Sequence, residues 1–132
     1  MRQIRILLVE DNEGDILLTT EALEEGNVSG ELIVVKDGWE AVQFLEKTGK
    51  YKAAKSPDIV FLDINIPKLN GLEVLQRIKN NNVIKHIPVI MLSSSSAKND
   101  VLLSNRYNAN FYINKPLEIA NLKQVLNLVK EA

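Results

Sequence analysis

Four short apolar runs in this chain each end in a residue suited to handling a phosphoryl group. Ile4 to Val9 leads into Glu10 and Asp11, and Ile59 to Leu62 leads into Asp63. Ile87 to Leu92 leads into Ser93, and Phe111 to Asn114 leads into Lys115 and Pro116. Adjacent carboxylates joined by a third from another run repel one another when ionised, and burial disfavours their charge further. A hard divalent cation relieves that repulsion, and oxygen ligands suit magnesium, or manganese in its place. Beside such a cation, the Lys115 ammonium and the Ser93 hydroxyl could stabilise phosphoryl oxygens. Asp63 is the nucleophile candidate, since an aspartyl phosphate is an established type of covalent intermediate. Singly, each residue has a plainer reading. Glu10 and Asp11 could be a solvated strand end, Asp63 a cap or turn residue, and Lys115 a surface lysine before a proline turn. Ser93 alone says nothing. Their joint position, each at the end of a different apolar run, favours one shared site.

The elements that must position them follow from the pattern of apolar residues. Buried parallel strands read as continuous apolar runs, and here the four runs, with a fifth at Glu31 to Lys36, alternate with helical patterns. Helices are predicted from Ile16 to Glu25, with Leu18, Ala22 and Leu23 on one face, and from Trp39 to Lys47, with Ala41, Val42 and Leu45 on another. Three more run from Leu72 to about Asn80, from Lys98 to Tyr107 and from Leu117 to Lys130. Gly26, Gly49 and the pair Asn70–Gly71 mark breaks, Lys50 to Pro57 is a polar connection, and Ser93 to Ser96 is a loop. This alternation predicts an α/β fold, a doubly wound five-stranded parallel sheet with right-handed crossovers and helices on both faces. Ligands in such sheets bind beyond the carboxyl ends of the strands, where the candidate residues fall. The run ending at Asp63 is expected to be the central strand.

Composition narrows the function classes. A chain of 132 residues suits one domain, and 16 basic against 17 acidic residues leave no broad face for nucleic acid or membrane. There are no cysteines, which excludes disulfides and thiolate chemistry, and the one histidine, His86, cannot make a His-rich metal site. It reads as a surface residue at a strand entry. Neither a signal peptide nor an apolar stretch of membrane-spanning length is present, so a cytoplasmic protein is expected.

Taken in order and at these intervals, the motifs resemble the receiver domain of two-component response regulators across nearly the whole chain. They are Ile4–Asp11, Asp63-Ile64-Asn65-Ile66-Pro67-Lys68-Leu69-Asn70-Gly71, Leu92-Ser93-Ser94 and Tyr112-Ile113-Asn114-Lys115-Pro116. The resemblance implies a flavodoxin-like sheet of strand order 2-1-3-4-5 and one receiver domain over residues 1–132 with no output domain. It also implies a signalling role that is not that of a turnover enzyme. Asp63 would take a phosphoryl group from a sensor histidine kinase and lose it slowly to water. Asp11 and Asp63 would bind the cation directly, Glu10 largely through water and Asn65 through its backbone carbonyl. Ser93 and Lys115 would grip the phosphoryl oxygens, and the Lys115–Pro116 peptide would be cis. Ser93 and Tyr112 would form the switch, Tyr112 falling at the family's rotating aromatic position. Three departures stand out. Asn70 replaces a frequent aspartate, Asn108 replaces a frequent glycine and must accept left-handed geometry, and Ser94 replaces a frequent alanine, which bears on access of phosphodonor or water.

Finer features, among them Lys85-His86-Ile87-Pro88 and Asn108 to Ile113, resemble the stand-alone regulators paired with bacterial phytochromes. The partners implied are a sensor histidine kinase of that kind and a downstream protein target or histidine phosphotransfer protein. Val101-Leu102-Leu103 cannot all point inward at 100° per residue. They leave open a single exposed leucine or a homodimer through the fourth helix, fifth strand and last helix. Trp39 reads as a packing residue, with a protein contact as its alternative. Three rival functions are weaker. A haloacid-dehalogenase-like phosphatase needs a second acid two residues after its aspartate, where this chain has Asn65. A flavin binder would not place Glu10, Asp11, Glu13 and Asp15 after the first strand. A degenerate receiver serving only as a scaffold would not keep the whole set of site residues.

Overall fold

The computed structural model describes residues 3–94 and 98–130; Ser95 and Ser96 of the expected loop lie outside them. Its order is β1 (Ile4–Val9), α1 (Glu13–Glu25), β2 (Gly30–Val35), α2 (Gly38–Glu46), β3 (Ile59–Asp63), α3 (Gly71–Lys79), β4 (Val89–Ser93), α4 (Lys98–Arg106), β5 (Phe111–Asn114) and α5 (Ile119–Lys130). The strands are parallel and ordered β2-β1-β3-β4-β5, so the strand ending at Asp63 is indeed central. One 3-10 turn, Gly49–Tyr51, interrupts the connection expected to be irregular.

Alternation along each central strand divides the core in two. Leu7, Val9, Val60, Leu62, Val89 and Met91 face α2 and α3, with Val42, Leu45, Val74, Leu75 and Ile78. Ile6, Leu8, Ile59, Phe61, Ile90 and Leu92 face α1 and α5, with Leu23, Leu122, Val125 and Val129. Every residue of β3 and β4 is buried, because helices cover both faces of a parallel sheet. Each large apolar side chain so placed contributes about 1.5–3 kcal/mol.

Local signals start the helices. Asn12 caps α1 by accepting from the Asp15 amide at 2.9 Å, Asp37 caps α2, and Asn70 with Glu73 forms a capping box on α3. Asn108 takes a left-handed conformation (φ 67°) before β5, as its position requires. Lys79 closes the opposite end of the sheet: its Nζ donates to the carbonyls of Lys85 and Ile87 and to Asn110 Oδ1, and burial lowers its pKa.

Two expectations are corrected. Leu18 is 48% exposed, because α1 turns Thr19, Ala22 and Leu23 inward instead. Thr19 can be buried since its hydroxyl donates to the Asp15 carbonyl at 2.9 Å. Trp39 is 44% exposed, one helical step from the buried stripe of Gly38, Ala41, Val42 and Leu45. The Arg77 guanidinium covers its ring at 5.5 Å from the centroid. Leu102 is exposed, while Val101 and Leu103 are half-buried.

Candidate phosphoryl and metal site

Register brings the separate motifs together. Val9 pairs with Leu62, so Glu10 continues β1 beside Asp63 at the end of β3. Asp63 pairs with Leu92, next to Ser93, and Ser93 pairs with Asn114, next to Lys115. The Lys115 amide extends that ladder by donating to the Ser93 carbonyl at 2.9 Å. The Lys115–Pro116 peptide is cis.

Glu10, Asp11 and Asp63 each offer a carboxylate oxygen, and these oxygens lie within 4.8 Å of one another. Glu10 and Asp63 are buried, whereas Asp11 is exposed. Lys115 Nζ donates to Glu10 Oε1, to Asp63 Oδ2 at 3.1 Å and to Asp15 Oδ2 at 2.9 Å. The Glu10 pKa is pushed up to about 7, chiefly by burial and then by its hydrogen-bonded neighbour Asp63, against the Lys115 bond, which pulls it down. For Lys115, burial disfavours the charge, but hydrogen bonds to Glu10, Asp15 and Asp63 outweigh it and push the pKa above the usual lysine value. Three carboxylates with this geometry and one nearby ammonium form a hard-oxygen donor set in electrostatic deficit. Magnesium or manganese fits such a set.

The loop after β3 is held by close packing. The Gly38 amide donates to the Pro67 carbonyl at 3.0 Å, and the Gly71 amide to the Ile64 carbonyl at 2.8 Å. A Cβ on Gly38 would meet the Leu69 carbonyl oxygen at 2.0 Å. Asn65, in this loop, is exposed, and its amide donates to Asp63 Oδ1 at 3.3 Å. Ser93 is fully buried at the end of β4, and Tyr112 is half-buried against the α2–α3 side of the core. The predicted metal and phosphoryl residues therefore lie at or beside the carboxyl edge of the sheet, while Tyr112 sits inside β5, paired with Met91.

The sequence reading missed the bond from Lys115 to Asp15 and the close packing at Gly38 and at Gly71, which it read only as a break and a motif residue. Asp15 stood only among the acids that follow the first apolar run, and nothing in the neighbouring letters announced a bond to a residue one hundred positions away.

A family model for the response regulator receiver domain matches residues 6–127. The response regulator Rcp1 of Synechocystis is 39% identical over 125 residues, which cover 95% of this chain and 83% of Rcp1. The crystal structure of the phosphorylated cyanobacterial phytochrome response regulator RcpA is 40% identical with a TM-score of 0.83, covering 98% of this chain and 93% of that one. The Mn(2+)-bound form of Rcp1 matches at 38% identity and a TM-score of 0.82, covering 97% and 90%.

Proposed function

The chain belongs to the response regulator receiver family, and from that premise we propose that Asp63 is its phosphoacceptor. It is a signalling domain of the two-component type, and magnesium or manganese is its metal. The single observation that carries the assignment is the bond from the Lys115 ammonium to Asp63 Oδ2 at 3.1 Å, inside the carboxylate cluster.

An Asp63 oxygen attacks the phosphorus of a phosphohistidine on a sensor kinase. A phosphorus–oxygen bond forms, the phosphorus–nitrogen bond breaks, and the imidazole leaves. Lys115 stabilises charge on the transferring phosphoryl oxygens, and the Ser93 hydroxyl donates to one of them. Glu10, Asp11 and Asp63 would hold the cation, with the Asn65 carbonyl beside them. When bound, the cation neutralises oxygens of the acceptor and the phosphoryl group. Slow hydrolysis of the acyl phosphate ends the signal.

Phosphorylation turns one negative charge into about two. Ser93 moves toward the group and Tyr112 follows, coupling the site to α4, β5 and α5. The kinase is of the phytochrome type, a reading supported by the similarity to the phytochrome response regulator RcpA. The next partner is a downstream target or a histidine phosphotransfer protein. Leu102 is a single exposed leucine on α4, which needs no partner to explain it, and contact with a second copy through α4, β5 and α5 is the further part of this reading. No helix among the described residues is long and apolar enough to cross a membrane, and the proposed site of action is the cytoplasm.

The test is incubation with magnesium and acetyl phosphate, followed by mass measurement. A gain of one phosphoryl group that Asp63→Asn abolishes supports the assignment. No gain, or a gain retained in the variant, refutes it.

A further inference from the structure

An ammonium has three donors, and among the described residues those of Lys115 meet three carboxylates, on Glu10, Asp15 and Asp63. Only Asp15 stands outside the trio that can hold a cation. Its place is built by α1. The Asp15 amide donates to the Asn12 side chain, and the Asp15 carbonyl accepts from Thr19. Its side chain keeps 32% exposure, against 1% for Glu10 and 6% for Asp63, so it lies on the solvent side of the ammonium. A plainer role is available: an acid in a first turn interacts favourably with the helix dipole. That role requires no contact with Lys115, yet the contact is made at 2.9 Å.

Resting on the assignment of Asp63 and Lys115, we propose that Asp15 is a positioning residue that restrains Lys115 and limits how firmly the phosphoryl group is gripped. Once Glu10 and Asp63 are committed to cation and phosphoryl group, Asp15 is the carboxylate left to compete for the ammonium. Its charge also opposes the incoming anion, so both effects have the same sign. Without a phosphoryl group the sign reverses. Asp15 then shares the Lys115 ammonium with Glu10 and Asp63, which weakens its hold on them, and its charge attracts a cation.

Beryllofluoride, a phosphoryl mimic, reads the first effect, and magnesium alone reads the second. Both are titrated by amide NMR into the parent, Asp15→Asn and Asp15→Glu, with thermal unfolding as a check that each variant folds. Asp15→Asn is expected to bind beryllofluoride about two- to fivefold more tightly at saturating magnesium, and to bind magnesium alone more weakly. Asp15→Glu, which keeps the charge, should stay near the parent in both. A purely dipolar role would lower stability and leave both affinities in place. Unchanged or weaker beryllofluoride binding by Asp15→Asn, with normal binding by the parent, overturns the role of Asp15 alone. Failure of the parent to bind beryllofluoride overturns the assignment of Asp63 and Lys115, and this inference with it.

Discussion

Gly71 packs against the backbone of Asp63 so closely that a Cβ at position 71 would lie 2.3 Å from the Asp63 carbonyl oxygen and 2.7 Å from the Ile64 Cα. Neither neighbour is a flexible side-chain end, so α3 can start here only without a side chain. The requirement is space beside Asp63, the proposed acceptor, not turn geometry.

Gly71→Ala should therefore push the end of β3 away from α3. Overpacking of this kind costs about 1–3 kcal/mol, and the shift falls on the residue that must meet the cation. Urea unfolding should show the loss of stability, and phosphoryl incorporation from acetyl phosphate should fall more than the unfolded fraction explains. Parent-like incorporation would show that the close packing does not position Asp63.

Cation binding should weaken on acidification. Glu10 has a pKa of about 7 without a cation, above its ordinary 4.5, and metal binding favours its ionised form. Magnesium affinity should fall about tenfold from pH 8 to pH 6, reflecting the share of ionised Glu10. Calorimetry at the two values checks this, and Glu10→Gln should flatten the dependence. The same shift sets a sign for metal-free stability. Folded Glu10 holds its proton more tightly than unfolded Glu10, so its contribution is present below 4.5 and is lost as pH rises through about 7.

Tyr112→Ala should separate binding from its transmission. Tyr112 is half-buried on the α2–α3 side of the sheet, beside Met91 across the β4–β5 ladder. Beryllofluoride should still shift amides around Asp63 in the variant, while the shifts along α4 shrink several-fold, matching a coupling of about 1–3 kcal/mol. Parent-like shifts in α4 would remove Tyr112 from the switch.

Ser104→Ala should stabilise the protein. Ser104 is fully buried in α4, and its hydroxyl finds no partner among the described residues. Removing an unpaired buried hydroxyl and gaining helix propensity together contribute about 1 kcal/mol. For a domain of this size that raises the melting temperature by roughly 3–5 °C, readable by circular dichroism.

Most of the fold and the core of the site were legible because their signals are local. Five apolar runs alternating with helical patterns named the class, and residues at the ends of parallel strands must share one edge. Where reading failed, the deciding partner was distant. Leu18 seemed to belong to a buried face, yet the Asp15 carbonyl satisfies the Thr19 hydroxyl and lets that side turn inward. Trp39 looked like packing by size alone, but the phase of α2 leaves it half in solvent under Arg77.

The linear order of residues determined the alternation of strands and helices and placed the carboxylates, the hydroxyl and the lysine at the ends of strands. Tertiary structure alone decided which carboxylates share the Lys115 ammonium, that Asp15 is among them, and that Gly38 and Gly71 clamp the loop beside Asp63. The physical reason is range. Hydrophobic period and capping act over a few residues and leave a trace in neighbouring letters. Electrostatic sharing and backbone close approach act over a few ångströms between segments whose separation along the chain carries no record of their distance in space.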